Sequence, residues 1–315
     1  MNTSTMDTPR VSASLAAEIT HTASLQTYYT IQTLVPEARR FDALRAYAYF
    51  RWVDDMIDGD ACDQPARVEF LNEQKELLYA CLEGRAPVSL RHEEWMLVDL
   101  VQGPLTSDAG LRIYLTYMMD VMEYDTHRRN RRLTQKRLNW YSRRLATAVT
   151  EAVFTFIGES AEPALVPQRY DAADAAHIVH MLRDLCDDLD VGYNNIPVEI
   201  IPGDRVLPSE LDHPRFKNWV RSRIETAKYL FAAGRRYLQG VENSRCRIAG
   251  ALYEARFQGV IAAIENEGYT LRRDYSDCKG PRMLIDMAWN GLRAGLTRPL
   301  PVDEYVRPSE HIRPA

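Results

Sequence analysis

An all-α protein is predicted by three observations. Apolar residues recur at three- and four-residue intervals over long segments, β-branched alternation is almost absent, and prolines fall where those segments break. The first helical region covers residues 15–35 and breaks at Pro36. The next, 41–57, repeats Ala, Leu, Tyr and Phe at helical spacing and ends at Gly59. Further helices are predicted over 65–82, 91–100, 109–124, 137–157 and 171–190. After Gly192 the texture changes: Pro197, Pro202, Gly203, Pro208 and Pro214 predict an irregular excursion over 193–214. Helical pattern resumes over 215–237, 244–267 and 281–293. No internal repeat, low-complexity tract or composition shift marks a second domain. Residues 1–14 therefore read as a flexible lead-in, 15–297 as one α-domain, and 298–315, with Pro299, Pro301, Pro308 and Pro314, as a proline-rich tail over the surface.

At 315 residues the chain can bury a core large enough to shield an apolar chamber. A net charge of −5 argues against nucleic acid as a partner, since that needs a basic face. Arg128, Arg129, Arg131 and Arg132 form a local basic group that reads as solvated, in a polar, loop-like stretch. Cys62, Cys81, Cys186, Cys246 and Cys278 are scattered, with no paired spacing, which points to free thiols in a reducing, cytoplasmic setting. The polar N-terminus is not a secretory signal, and no window of about eighteen apolar residues would span a bilayer. Peripheral membrane contact through an amphipathic helix stays open, as does the oligomeric state.

Two acidic segments carry the chemistry. In YAYFRWVDDMID, residues 47–58, Asp54 and Asp58 lie four apart and share one helix face, while Asp55 points elsewhere. Like charges so placed repel by roughly 0.2–0.5 kcal/mol when exposed, a cost that a divalent cation between them would remove. Arg51 and Tyr47 rise up the same side, where phosphate oxygens held by that cation would meet them. A solvated acidic helix end explains Gly59 and Asp60 as well, but not why the carboxylates follow an aromatic run that should face a core.

HIVHMLRDLCDDLD, residues 177–190, repeats the arrangement with Asp184 and Asp188, Asp187 beside them and Arg183 just before. Two such helices facing one another would make an all-oxygen site, which favours Mg2+ or Mn2+ over zinc. His177 and His180, three apart on an apolar helix, read as packing or hydrogen-bonded residues rather than ligands. The chain has no HExxH, GK[ST] loop, GxGxxG or GxSxG element. Its tyrosines read as core residues with a polar tip, some lining a chamber where rings stabilise carbocations.

These motifs resemble those of the squalene and phytoene synthase family, which joins two prenyl diphosphates head to head. The resemblance runs over residues 24–279. It includes the aromatic-Arg-DDxxD segment, LRDLCDDLD as the second aspartate-rich motif, YSRRLATAVT at 141–150 as the substrate-side helix, and YEARFQGVIAAIENEGYTL near the C-terminus. It implies a class I isoprenoid synthase helical bundle around a central cavity. Asp54, Asp58, Asp184 and Asp188, with Asp187 assisting, would hold the cations. Tyr47 and Arg51 would steady the diphosphate, and Arg183, Tyr141 and Tyr253 would meet substrate.

The chain departs from the family at two places. Tyr193 and Asn195 stand where the family commonly has Arg and Tyr, and Thr147 and Thr150 stand where it commonly has glycines. Threonine adds volume and a hydroxyl where glycine permits close approach. The resemblance therefore implies head-to-head condensation, with cyclisation of a single prenyl diphosphate as the rival and a non-catalytic helical scaffold as a third reading. Use of NADPH stays open, because family members that bind it need no Rossmann fingerprint. A membrane-anchored squalene synthase is not expected, since no hydrophobic C-terminal segment is seen.

Overall fold

The computed structural model describes residues 8–59, 63–85, 89–158, 166–203, 206 and 208–299. Among these residues the secondary structure is helical throughout, in twelve α-helices: α1 Thr8–Ala23, α2 Leu25–Leu34, α3 Glu37–Asp58, α4 Gln64–Leu82, α5 Glu94–Val101, α6 Ala109–Arg128, α7 Gln135–Ile157, α8 Asp171–Arg183, α9 Leu185–Asp190, α10 Pro214–Gln239, α11 Ser244–Asn266 and α12 Pro281–Leu296. They group into two compact units, Met1–Gly158 with Leu185–Leu207 and Glu159–Asp184 with Pro208–Ala315. Neither unit is contiguous in sequence, so a linear scan for shifts of composition has nothing to find.

Local chemistry sets most of the helix starts. Side chains of Asp63, Asp108 and Thr134 accept from the backbone N–H of Ala66, Leu111 and Arg137, satisfying donors that the first turn leaves free. Pro214 sits in the first turn of α10, where its missing N–H costs nothing. Ser24 caps α2 in the same way, through Thr27 N at 3.2 Å, and so splits the single helix expected over 15–35. Helix α5 starts at Glu94 rather than residue 91 because the Glu94 carboxylate accepts from the Arg91 backbone N–H at 2.7 Å.

In the first unit α3 is central and packs against α1, α5, α6 and α7. Its inward face carries Leu44, Ala48, Tyr49, Val53 and Ile57, all nearly inaccessible. Burying side chains of the Leu or Ile size contributes roughly 1.5–3 kcal/mol each. The polar tips find partners: Tyr49 donates to Gln74 Oε1 at 3.1 Å, Gln74 Nε2 donates to Glu94 Oε1 at 2.7 Å, and Tyr114 donates to the Ala46 carbonyl at 2.8 Å. Residues 8–14, read as flexible lead-in, instead begin α1. Ser12 and Ala13 are buried, and the Ser12 hydroxyl accepts from Arg45 Nε at 3.0 Å and donates to Asp99. Residues 1–7 and 300–315 of the expected lead-in and tail lie outside the described residues.

The second unit packs α8 against α10 and α11, and α11 against α12. The helix expected over 171–190 is broken at Asp184, which leaves helical geometry (φ −94°, ψ 5°) between α8 and α9. Asp184 and Asp188 therefore do not share the face of one continuous helix.

Candidate active site

The α3 motif is placed by its own core face. Val53 and Ile57 are anchored inward, so Asp54 and Asp58, one residue further round, emerge together at the helix end, half-buried and exposed respectively. Arg51 is shared: its guanidinium is bonded to Asp55 and stands 3.6 Å from Asp54. Asp55 is thus part of the arrangement rather than turned away from it. The Asp54 carboxyl is pushed up to about 7, first by burial and then by Asp58; Arg51 opposes the rise, while Asp125 and Asp55 add to it. Negative charge at this helix end exceeds what the neighbouring guanidinium neutralises.

Beneath it lies a network that the sequence reading did not assemble. Asp125 on α6 is buried, accepts from the Tyr141 hydroxyl at 3.0 Å and pairs with Arg128 one turn further on. Arg128 Nη1 donates to Asn195 Oδ1 at 2.7 Å, and Asn195 Nδ2 donates to Asp188 Oδ2 at 2.7 Å. The Arg128 guanidinium also lies over the rings of Tyr141 and Tyr193, 4.7 and 4.6 Å from their centroids. Burial opposes its charge, but Tyr141, Asp125 and Tyr193 hold it protonated. The Tyr193 hydroxyl donates to Asp58 Oδ1, joining this network to the α3 motif.

Of the basic group at 128–132, Arg128, Arg129 and Arg132 are therefore engaged rather than solvated, while Arg131 is exposed. Arg129 donates to the carbonyls of Val191 and Asp58, and Arg132 to those of Ile196, Ile201 and Gly203. These guanidiniums give carbonyls of the proline-rich excursion partners that no helix or strand supplies there. Gly192 completes the turn with a φ of +92°. A Cβ there would lie 2.5 Å from Asn130 Oδ1, so only glycine fits beside the loop that follows α6.

In the second unit, Asp184 is gripped by Arg183 through two hydrogen bonds of 2.6 and 2.7 Å and by His180 Nε2 at 2.7 Å. Burial works against its ionisation, but the bonds from Arg183 and His180 prevail and hold it well below the usual carboxylate range. Tyr253 on α11, pushed up to about 12 chiefly by burial, stacks edge-on with Phe257 and lies near Arg183 and Arg256. Arg256 follows Tyr253 by three residues on α11, a spacing that puts both on one face and could have flagged it. His177 is buried with Nε2 unpartnered, and burial pulls it down to about 3, so it stays neutral.

Of the remaining candidates, Tyr47 is half-buried one turn before Arg51 and within electrostatic reach of it, and Asp187 is exposed. Thr147 and Thr150 are buried on α7, the Thr147 hydroxyl donating to the Arg143 carbonyl at 2.9 Å.

The donor chemistry fits a hard divalent cation: Asp54 and Asp58 offer oxygens only, at a helix end with surplus negative charge. The cage is not preassembled, since among the described residues no three Asp, Glu, His or Cys side chains gather closely enough to hold an ion. Asp58 and Asp188 are engaged instead by Tyr193 and Asn195.

Known proteins resemble this chain in sequence and in fold. The chain is 25% identical over 236 residues to a 15-cis-phytoene synthase of Paracoccus sp. (strain N81106 / MBIC 01143), covering 68% of this chain and 70% of that protein. The crystal structure of squalene synthase HpnC from Alicyclobacillus acidocaldarius superposes with a TM-score of 0.69 at 20% identity, covering 84% of this chain and 97% of that one. A dehydrosqualene synthase solved in complex with ligand gives 0.65 at 15% identity, covering 91% and 96%. The fold is thus the class I isoprenoid synthase helical bundle. Residues 21–282 match the squalene/phytoene synthase family, and the chain belongs to that family.

Proposed function

We propose that this protein is a divalent-cation-dependent enzyme, using Mg2+ with Mn2+ as substitute, that ionises allylic prenyl diphosphates and condenses two of them head to head with release of diphosphate. The observation that carries this reading is the α3 carboxylate pair, Asp54 half-buried and Asp58 exposed, with negative charge in excess of its guanidinium partner, in a chain of this family. Similarity to a phytoene synthase and to a squalene synthase supports the substrate class.

Asp54, Asp58, Asp184 and Asp188 would hold the cations, with Asp187 assisting. Bound cations would supply Lewis-acid stabilisation of the departing diphosphate. Arg51, exposed on α3, would exchange its Asp55 bond for a phosphate oxygen, and Tyr47 would donate beside it. Arg183 and Tyr253 would serve the phosphate end of a substrate. The Tyr141 and Tyr193 rings already face the Arg128 cation, so carbocation stabilisation falls to other rings. The catalytic domain is taken to run from the start of α1 to residue 297 and its setting as cytoplasmic, in keeping with Cys81, Cys186, Cys246 and Cys278 forming no disulfide.

One observation favours a second reading. The Tyr193 hydroxyl is engaged with Asp58, at a position where an arginine would offer charge to a second diphosphate, and a cyclase acting on one prenyl diphosphate needs no such charge. The deciding experiment incubates the purified chain and Mg2+ separately with geranyl, farnesyl and geranylgeranyl diphosphate, with and without NADPH, and identifies products by mass spectrometry. A C30 or C40 hydrocarbon, or its cyclopropyl diphosphate, is the expected outcome. A cyclic product from a single chain would establish the cyclase, and absence of any turnover would leave the scaffold reading.

A further inference from the structure

Helix α12 packs against α11 at two glycines and turns four large apolar residues outward. A Cβ on Gly291 would stand 3.1 Å from Leu252, and one on Gly295 3.1 Å from Ile248, so α11 and α12 approach through glycines that a larger residue would push apart. Arg247 of α11 fixes the far end, donating to the carbonyls of Ala294 at 3.1 Å and Thr297 at 2.9 Å. On the outward side Ile285, Trp289, Leu292 and Leu296 are 67%, 60%, 56% and 76% exposed. Their spacing of four, three and four makes one continuous stripe. Elsewhere among the described residues, exposed large apolar side chains come singly or as the α2 pair Leu25 and Tyr29.

We propose that the α12 stripe docks on the surface of an anionic lipid bilayer. Charge favours this occupant: residues 281–299 contain Arg282, Arg293 and Arg298 against Asp286, in a chain whose net charge is −5, and Arg293 and Arg298 are exposed. Size favours it over a second copy of the chain. The stripe is about 17 Å long and one helix, about 10 Å, wide, far short of the roughly 800 Å² per partner of a standard protein interface. Trp289 at its centre is the side chain most suited to the boundary between headgroups and acyl chains. The contact lies on the membrane without crossing it, since no described helix is long and apolar enough to span one. This inference goes beyond the proposed reaction and does not depend on it.

Flotation of the full chain tests the proposal, using vesicles of phosphatidylcholine alone and vesicles of phosphatidylcholine mixed with phosphatidylglycerol. The wild type is expected to float with the mixed vesicles, to be released by high salt, and to stay behind with phosphatidylcholine alone. The double variant Trp289→Ser, Leu292→Ser is expected to lose about tenfold or more of the bound fraction, with helical circular dichroism unchanged. Arg293→Glu, at an exposed position, should weaken binding to the mixed vesicles without disturbing the α11–α12 packing. The proposal is overturned if the wild type does not float, or if the folded variants float equally well. A lipid-free dimer in sedimentation velocity that the double variant abolishes would also overturn it, by assigning the stripe to a second copy.

Discussion

The two aspartate motifs have nearly the same sequence pattern and opposite electrostatics. At the end of α3, burial first and then the charges of Asp58, Asp125 and Asp55, with Arg51 as partial relief, make the Asp54 carboxyl hard to ionise. At the end of α8, Asp184 is held by two guanidinium bonds and a histidine, and its carboxyl is easy to ionise. Carboxylate spacing is therefore a poor guide to charge balance, which depends on donors that arrive from elsewhere. On the proposed reading, a cation at the α3 motif would displace only the Tyr193 hydroxyl from Asp58, whereas one at Asp184 would displace Arg183 and His180.

The largest expected effect tests what supports the first motif. Asp125→Ala leaves Arg128 buried without its carboxylate, both side chains being about a tenth exposed, and should cost about 3–5 kcal/mol. A lower urea midpoint at unchanged slope would register it. A loss below about 1 kcal/mol would mean that Asn195 and the tyrosine rings suffice to hold the guanidinium.

Next comes the contrast itself. Asp54→Asn and Asp184→Asn should each lower diphosphate release about 10²–10³-fold, yet their melting temperatures should part. Removing charge from the crowded α3 site relieves repulsion and leaves stability unchanged or higher. Removing it from Asp184 forfeits the Arg183 and His180 bonds, about 1 kcal/mol for a group partly open to solvent. Equal melting shifts would erase the distinction between the motifs.

His177, one helical turn before His180, sharpens the comparison through pH. Its folded-state value is lowered to about 3, chiefly by burial, so below pH 6.5 the unfolded chain takes up a proton that the folded chain refuses. Stability is then lost as pH falls from 6.5 toward 3. Between pH 7 and pH 5 the wild type should lose about 2 kcal/mol more than His177→Met. Urea titrations at the two pH values would read this difference, and parallel losses would show that His177 accepts a proton while folded.

The smallest effect belongs to Tyr193→Phe. The variant keeps the ring under Arg128 and removes only the bond to Asp58, so stability should change by about 0.5–1.5 kcal/mol. The concentration of Mg2+ required for half-maximal activity should fall, because Asp58 is released. An increase would mean that the hydroxyl positions Asp58 for the cation rather than competing with it.

Much of the fold was legible because helices are local. The caps at Asp63, Asp108 and Thr134 and the proline at 214 sit within a turn of the elements they start, and the apolar spacing of α3 exposes its acidic edge. The misses were of two kinds. At Ser24 and Asp184 a single residue leaves helical geometry without disturbing the periodicity on either side. At Arg128 a residue that looks solvated in a run of arginines is about nine-tenths covered at its side chain, and most of its partners, Tyr141, Tyr193 and Asn195, are remote in sequence.

The sequence by itself determined the helical class, the acidic edges and the resemblance to a family, since each rests on backbone periodicity or on short motifs. Only the tertiary structure decided which donor meets which carboxylate. Asn195 reaches Arg128 across 67 residues of chain, and Tyr193 reaches Asp58 across 135. Pairings at that separation are set by how helices pack and by the need of every buried charge for a partner, and no local pattern encodes them.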